Sequence, residues 1–514
     1  MNIFMNTKRL VKSSPYFRTA FFWAIIGITA LRVLLSATID LGVDEVYYTT
    51  YAKKLQWSYF DHPPLVGWLI WLTTLGGALQ GPIAVRLGSI LTSMGSVYLI
   101  YSTTQLIYGT RSAWISAGLF TASYYTSIVS GLFILPDSPL VFFWLLALKS
   151  GYKALIEQQS KSMYWFGLWV GFALMSKVQA GFLWFGFLTY AFTYRRSIFK
   201  TSDVYLSLLI SFMVSAPMWW WNFQSQAATF NYHSQRIKWL GGIRPSSALR
   251  ELVGEMVYIQ PLVYGLIIYA LFYGLKRYSK LYIHDYWLWM GIPLILIFWC
   301  ISWLRDTLPH WSGPGFISLM VWSGSVLSQH KNQLKMQRWV AASVLFTSMT
   351  VGAFWTVIHF YPGTLGNKTA NSLGKGDITL DIYGWKSLAM DLKPYIQQDQ
   401  ISGIQVDVIV SHKWFPAAHI DYYIAQPLNL QLFVLGELSQ IHHYAWLQKE
   451  VEPLKPGSSA YFVGFSNGVQ APDSLLCASF KNVGKPRVVQ QFRQGKPTRN
   501  IYLYLLEGYR KKNN

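Results

Sequence analysis

Long apolar stretches alternate with short polar ones over the first two thirds of the chain. Runs near the twenty residues that a bilayer-crossing helix needs fall at 20–39, 83–107, 112–133, 138–155, 164–176, 180–194, 204–221, 256–275, 286–303, 313–327 and 339–359. This predicts about eleven membrane spans. A twelfth apolar run, 63–79, carries two prolines, three glycines and two adjacent threonines, and is expected to lie along the interface or re-enter it as a juxtamembrane helix. After Tyr361 the pattern becomes that of a water-soluble domain, entered through the polar linker 362–377. There 385–397 and 417–425 read as helices, and 404–410, 430–435, 460–465 and 500–505 as strands. The expected architecture is a polytopic α-helical membrane domain, 1–361, followed by a small soluble α/β domain, 362–514.

Composition supports this division. The 514 residues are 52% hydrophobic and 13% charged, with a mean hydropathy of +0.26, too little polar surface for a wholly soluble enzyme. Cys300 and Cys477 are the two cysteines, which excludes a disulfide framework and a cysteine-based zinc site. The net charge of +21 comes from clusters between apolar runs, a pattern that points to topology and not to nucleic acid.

Charge also sets orientation. With 63–79 not crossing, the clusters at Lys8 to Arg18, Arg111, Lys149 to Lys161, Arg195 to Lys200, Lys276 to Lys280 and Lys331 to Arg338 all fall on the cytoplasmic side. The loops 41–62, 135–137, 222–255 and 305–311, the turn at Lys177 and the C-terminal domain are then external. Asp44, Glu45, Asp61, Asp137, Glu251, Glu255 and Asp306 are on that side.

Candidate chemistry gathers in the first external loop, where Asp44-Glu45 follows the first span and Tyr59-Phe60-Asp61-His62-Pro63-Pro64 precedes the interfacial run. Carboxylates there suit a general base for an acceptor hydroxyl or amine, or a divalent cation facing a phosphate; they also suit an ordinary solvated loop. Lys177, between two short spans, reads as a phosphate contact or as a snorkelling cation. Asp137, before Ser138-Pro139, reads as a site acid or as a helix cap. His233 and Arg236, one helical turn apart, read from spacing alone as a basic stripe at lipid headgroups. The three tryptophans 219–221 read as an interfacial belt.

The order of these motifs carries a resemblance over roughly the first 330 residues. Asp44-Glu45-x-x-Tyr48, Tyr59 to Val66, Leu135-Pro136-Asp137-Ser138-Pro139-Leu140, Leu174 to Ala180, Trp221 to Gln224 with His233-Ser234-Gln235-Arg236, and Pro309-His310-Trp311-Ser312-Gly313-Pro314 resemble the bacterial relatives of protein O-mannosyltransferases and lipid A aminoarabinose transferases. These are GT-C glycosyltransferases that use polyprenyl-phosphate sugars. The resemblance implies an inverting transfer of one hexosyl or pentosyl group from a polyprenyl-phosphate donor to a glycolipid, glycan or protein. The reaction would take place outside a bacterial inner membrane, with the membrane lipid as a further partner. It implies Asp44, with Glu45 beside it, as catalytic acids. Lys177, Arg236 and His62 are implied as donor-phosphate contacts, His62 standing where aminoarabinose-type relatives have a lysine. Asp61 and His233 are implied as ligands of a divalent metal (Mg, Mn or Zn). Tyr48, Tyr59, Asp137 and His310 are further site candidates. A transporter or flippase of lipid-linked glycans is the competing class, and should show inverted repeats and charges near the bilayer midplane; the sequence shows no such repeat.

Overall fold

The computed structural model describes residues 15–235, 242–278 and 282–510. The helices of its first part are α1 (Pro15–Thr38), α2 (Val43–Lys53), α3 (Leu65–Thr73), α4 (Pro82–Tyr108), α5 (Thr110–Ala122), α6 (Asp137–Leu155), α7 (Ser160–Ser176), α8 (Gly181–Tyr194), α9 (Ser202–Gln224) and α10 (Ala228–Gln235). They are followed by α11 (Pro245–Ile259), α12 (Pro261–Tyr278), α13 (Tyr282–Ser302), α14 (Gly313–Ser328) and α15 (Gln333–Phe360). Among the described residues α1, α4, α9 and α15 are each long and apolar enough to cross a membrane unaided. The chain is an integral membrane protein. At nine residues α3 is too short to span, as expected of 63–79.

Two apolar runs expected to be continuous are broken. The run 112–133 stops as α-helix at Ala122 and continues as a π-turn, Tyr125–Val129. The Thr126 hydroxyl there bonds the Phe120 carbonyl, a side-chain competition of the kind that diverts helices. The run 256–275 is divided at Gln260, where α11 and α12 meet at 104°. Gln260 has φ +81° and precedes a proline, which disfavours a helical residue before it.

Contacts divide the chain into two compact units: one built from the described residues up to Ser36, 62–73 and Ile83–Thr350, the other from Ala37–Asp61, Thr74–Pro82 and the described residues from Val351 on. The second unit therefore takes in the first loop as well as the C-terminal residues.

The first unit packs through small residues, as helices without a hydrophobic drive between them do. Ser207 and Ser211 of α9 donate to Met163 O (2.7 Å) and Gly167 O (2.6 Å) of α7. A Cβ on Gly167 would meet Ser207 O at 2.2 Å, so glycine is what allows this approach.

The second unit holds a six-stranded mixed sheet: β1 (Val408–Ser411), β2 (Gln431–Val434), β3 (Ala460–Phe465), β4 (Phe480–Val483), β5 (Arg487–Arg493) and β6 (Lys496–Tyr509). β1 lies parallel between β2 and β3, β3 runs antiparallel to β6, and β4 and β5 share the far edge of β6. All six residues of β3 are buried, which suits a central strand covered on both faces. A helix, Leu388–Ile401, precedes the sheet.

Candidate active site

Within the first unit three of the sequence motifs converge. Asp137 is the first residue of α6. Lys177 follows α7 in extended conformation (φ −161°, ψ 134°), which turns its side chain off the helix line. His310 lies in the 3-10 turn Pro309–Ser312 before α14. Lys177 Nζ donates to both carboxylate oxygens of Asp137, at 3.1 and 2.9 Å, and Tyr125 Oη donates to Oδ1 at 2.8 Å. Asp137 and Lys177 are only 3% and 5% exposed, so this pair stands largely desolvated. Gly313 of the third motif makes room for the tyrosine: a Cβ there would come 2.6 Å from the Tyr125 ring.

His310 is close enough to feel both charges. Its burial first, and then the Lys177 ammonium, push its imidazole down to about 4, so it is neutral at physiological pH. The cluster thus offers a fixed ammonium with a third N–H beyond the two given to Asp137, next to an uncharged imidazole. Such a cation can hold and neutralise a phosphate oxygen.

The first loop belongs to the second unit. Asp44 is exposed near the start of α2, where an acid is also favoured by the helix dipole. Glu45 is buried, and its Oε2 accepts from Gly42 N at 2.8 Å, the reach-back of a capping box. That bond ties Glu45 to the helix start. Tyr59 is fully buried, stacked on Tyr51 with ring centroids 3.9 Å apart, and donates to Tyr51 O at 2.9 Å. Tyr48 is buried against the rings of Tyr47 and Tyr51.

Asp61 sits at the centre of this aromatic cluster. Its Oδ1 accepts from Tyr47 Oη at 3.0 Å and from Tyr51 Oη, and its Oδ2 comes to 4.0 Å from His442 Nδ1. Burial raises its pKa to about 6, the two phenols acting in the opposite direction. His442 stacks on Trp414, and His443 N donates to Tyr47 Oη at 3.2 Å. As metal donors Asp61 and His442 supply a carboxylate and an imidazole, two of the four that a closed zinc site needs. Among the described residues no group of three or more His, Cys, Asp or Glu is placed to hold a metal ion. The described donors around Asp61 fall short of a closed zinc site.

Of the remaining candidates, His62 is partly exposed ahead of α3. Arg236 lies outside the described residues, as does the side chain of His233. Tyr125, Tyr47, Tyr51 and His442 were not singled out by sequence. The spacing of Tyr47 and Tyr51, four apart on a helix, signals a shared face, and the His442-His443 doublet was visible; nothing near Tyr125 in the sequence marks it.

Residues 61–221 match the family described as dolichyl-phosphate-mannose-protein mannosyltransferase. A lipid A galacturonosyltransferase, RgtD, from Rhizobium johnstonii is 22% identical over 311 residues, 58% of this chain and 64% of the relative; the match spans less than two thirds of that protein. The crystal structure of ArnT from Cupriavidus metallidurans in the apo state superposes with a TM-score of 0.61 at 13% identity, covering 95% of this chain and 98% of that one. The same protein bound to undecaprenyl phosphate gives a TM-score of 0.64 at 14% identity, with 94% and 98% covered. These likenesses show that the chain has the fold of ArnT.

Proposed function

We propose that this GT-C membrane protein transfers one sugar from a polyprenyl-phosphate carrier to an acceptor on the periplasmic face of the bacterial inner membrane, with inversion at the anomeric carbon. The observation that carries this reading is the convergence of the 135–140, 174–180 and 309–314 motifs on one buried ammonium, Lys177, held by Asp137. The matches to a polyprenyl-phosphate-bound relative and to a lipid A glycosyltransferase support the donor class and favour a glycolipid acceptor. Eleven spans, with the first loop and the C-terminal residues external, fit the distribution of lysine and arginine.

The chemistry assigns separate work to separate residues. As the bond from the anomeric carbon to the phosphate oxygen breaks, its electron pair stays on that oxygen, and a diester monoanion becomes a monoester with one more negative charge. Lys177 offsets that charge, and Asp137 and Tyr125 keep the ammonium in place before the reaction begins. The acceptor hydroxyl or amine forms the new bond to the anomeric carbon and releases a proton, which Asp44 takes as general base. Asp61 is held by Tyr47 and Tyr51 and shapes the loop that carries Asp44.

Mass spectrometry of envelope glycolipids from a deletion strain and its complemented parent tests this. The expected result is one glycolipid species lighter by a single sugar in the deletion strain alone. Unchanged glycolipids and glycoproteins would overturn the reading.

A further inference from the structure

The acids Glu251 and Glu255, which charge patterning placed in an external loop, stand one turn apart on α11 and are 1% and 2% exposed. Four residues apart, they share a helix face. One oxygen of Glu251 is accounted for, since Thr307 Oγ1 donates to Oε2 at 2.6 Å; the Ser312 hydroxyl, felt at Glu255, donates to Pro309 O at 3.1 Å. Oε1 of each glutamate has no hydrogen-bond partner among the described residues. Burying a carboxylate with an unmet oxygen is costly, and two side by side also repel. The nearest arginine by sequence, Arg250, is felt at Glu251, yet its guanidinium, like that of Arg244, pairs with the half-exposed Asp306.

The setting is also unusual. α11 is one arm of the helix pair bent by 104° at Gln260, and broken helices with buried acids are where membrane proteins hold ions. The turn Pro309–Ser312 presses on the same helix: a Cβ on Gly254 would lie 2.2 Å from Pro309 Cγ. That turn carries His310, which feels Lys177 and Asp137.

We propose that Glu251 and Glu255 together bind one hard divalent cation, of the Mg²⁺ or Mn²⁺ class, through their two Oε1 atoms. Thr307 fixes the opposite oxygen of Glu251 and so orients that carboxylate. The donor set is oxygen, which suits a cation that takes one or two carboxylates and keeps several waters, and does not suit zinc. The cation compensates the two carboxylates that α11 buries.

The test uses the purified full-length protein, stripped with EDTA, and needs no sugar transfer. Mn²⁺ binding is counted by electron paramagnetic resonance, and thermal unfolding is followed by tryptophan fluorescence with and without Mg²⁺ or Mn²⁺. The wild type is expected to bind Mn²⁺ and to gain several degrees in midpoint. The Glu251→Gln/Glu255→Gln variant is expected to lose that binding and the gain, while unfolding no earlier than the stripped wild type, since it buries no charge. Should the double variant fail to fold, Glu255→Gln alone is expected to weaken Mn²⁺ binding by about tenfold or more. A wild type that binds no Mn²⁺ and is not stabilised by Mg²⁺, or glutamine variants that keep wild-type binding, would overturn the proposal.

Discussion

Lys177 grips both oxygens of Asp137 in a site where both side chains are almost wholly buried. An ion pair of this kind is worth little against an apolar replacement, but losing one partner leaves a bare buried charge. Lys177→Met alone is therefore expected to destabilise the protein by about 3–5 kcal/mol. Adding Asp137→Asn should restore most of that loss, and the non-additivity is read from thermal or denaturant unfolding of the two single variants and the double.

Tyr125→Phe removes one hydrogen bond to the same carboxylate and leaves the ring that packs against Gly313. The expected cost is about 1.5–3 kcal/mol. Transfer should fall with KM for the donor largely kept, because the ammonium remains. A loss of donor binding as large as that of a lysine variant would contradict the supporting role given to Tyr125.

Adjacent acids in the first loop are expected to behave differently. Glu45→Gln keeps an acceptor for Gly42 N and should retain folding and most transfer. Asp44→Asn keeps shape but not basicity, and transfer should fall by about a hundredfold or more while donor binding stays. Equal losses for the two variants, in a transfer assay, would remove the distinction.

Two buried groups of the second unit make its stability depend on pH in opposite directions. His419 is buried against Trp385, and burial lowers its pKa from 6.5 to about 3. The unfolded chain binds its proton first, so this contribution is present above pH 6.5 and is lost as pH falls toward 3. Asp61 runs the other way. Its pKa is raised from 3.8 to about 6, so the folded state holds the proton more tightly and its contribution is lost as pH rises from 4 to 6. His419→Phe should flatten the fall of the unfolding midpoint between pH 6.5 and 4, and Asp61→Asn should steepen it. Identical pH slopes for both variants and the wild type would contradict these environments.

What was legible in the sequence follows from what is local. Apolar runs gave most helices because hydrophobic length is a local property, and 460–465 read as a strand because its buried side chains are contiguous. The motifs around Asp137, Lys177 and His310 were visible as motifs, whereas their meeting with Tyr125 was not, since 40 residues separate Asp137 from Lys177 and no spacing rule reaches across them. β4 and β5 were missed: β5 alternates in burial along its length, but Gln491 and Arg493 are its buried residues while Val488 and Phe492 are exposed, so hydropathy does not report the strand, which is held by pairing with β6. Glu45 read as a catalytic acid because a capping carboxylate and a catalytic one look alike in sequence. Asp61 and His442 come together although 381 positions apart, a relation that only the folded chain contains.

In the proposed reaction the Lys177 ammonium receives the carrier's phosphate. The most direct measurement is polyprenyl-phosphate binding by the Lys177→Met/Asp137→Asn variant, whose core remains neutral and folded, set beside the wild type and followed by sugar transfer on the same preparations. The account predicts donor-phosphate affinity lower by about tenfold or more and transfer close to background. Wild-type affinity together with wild-type transfer in that variant would contradict it.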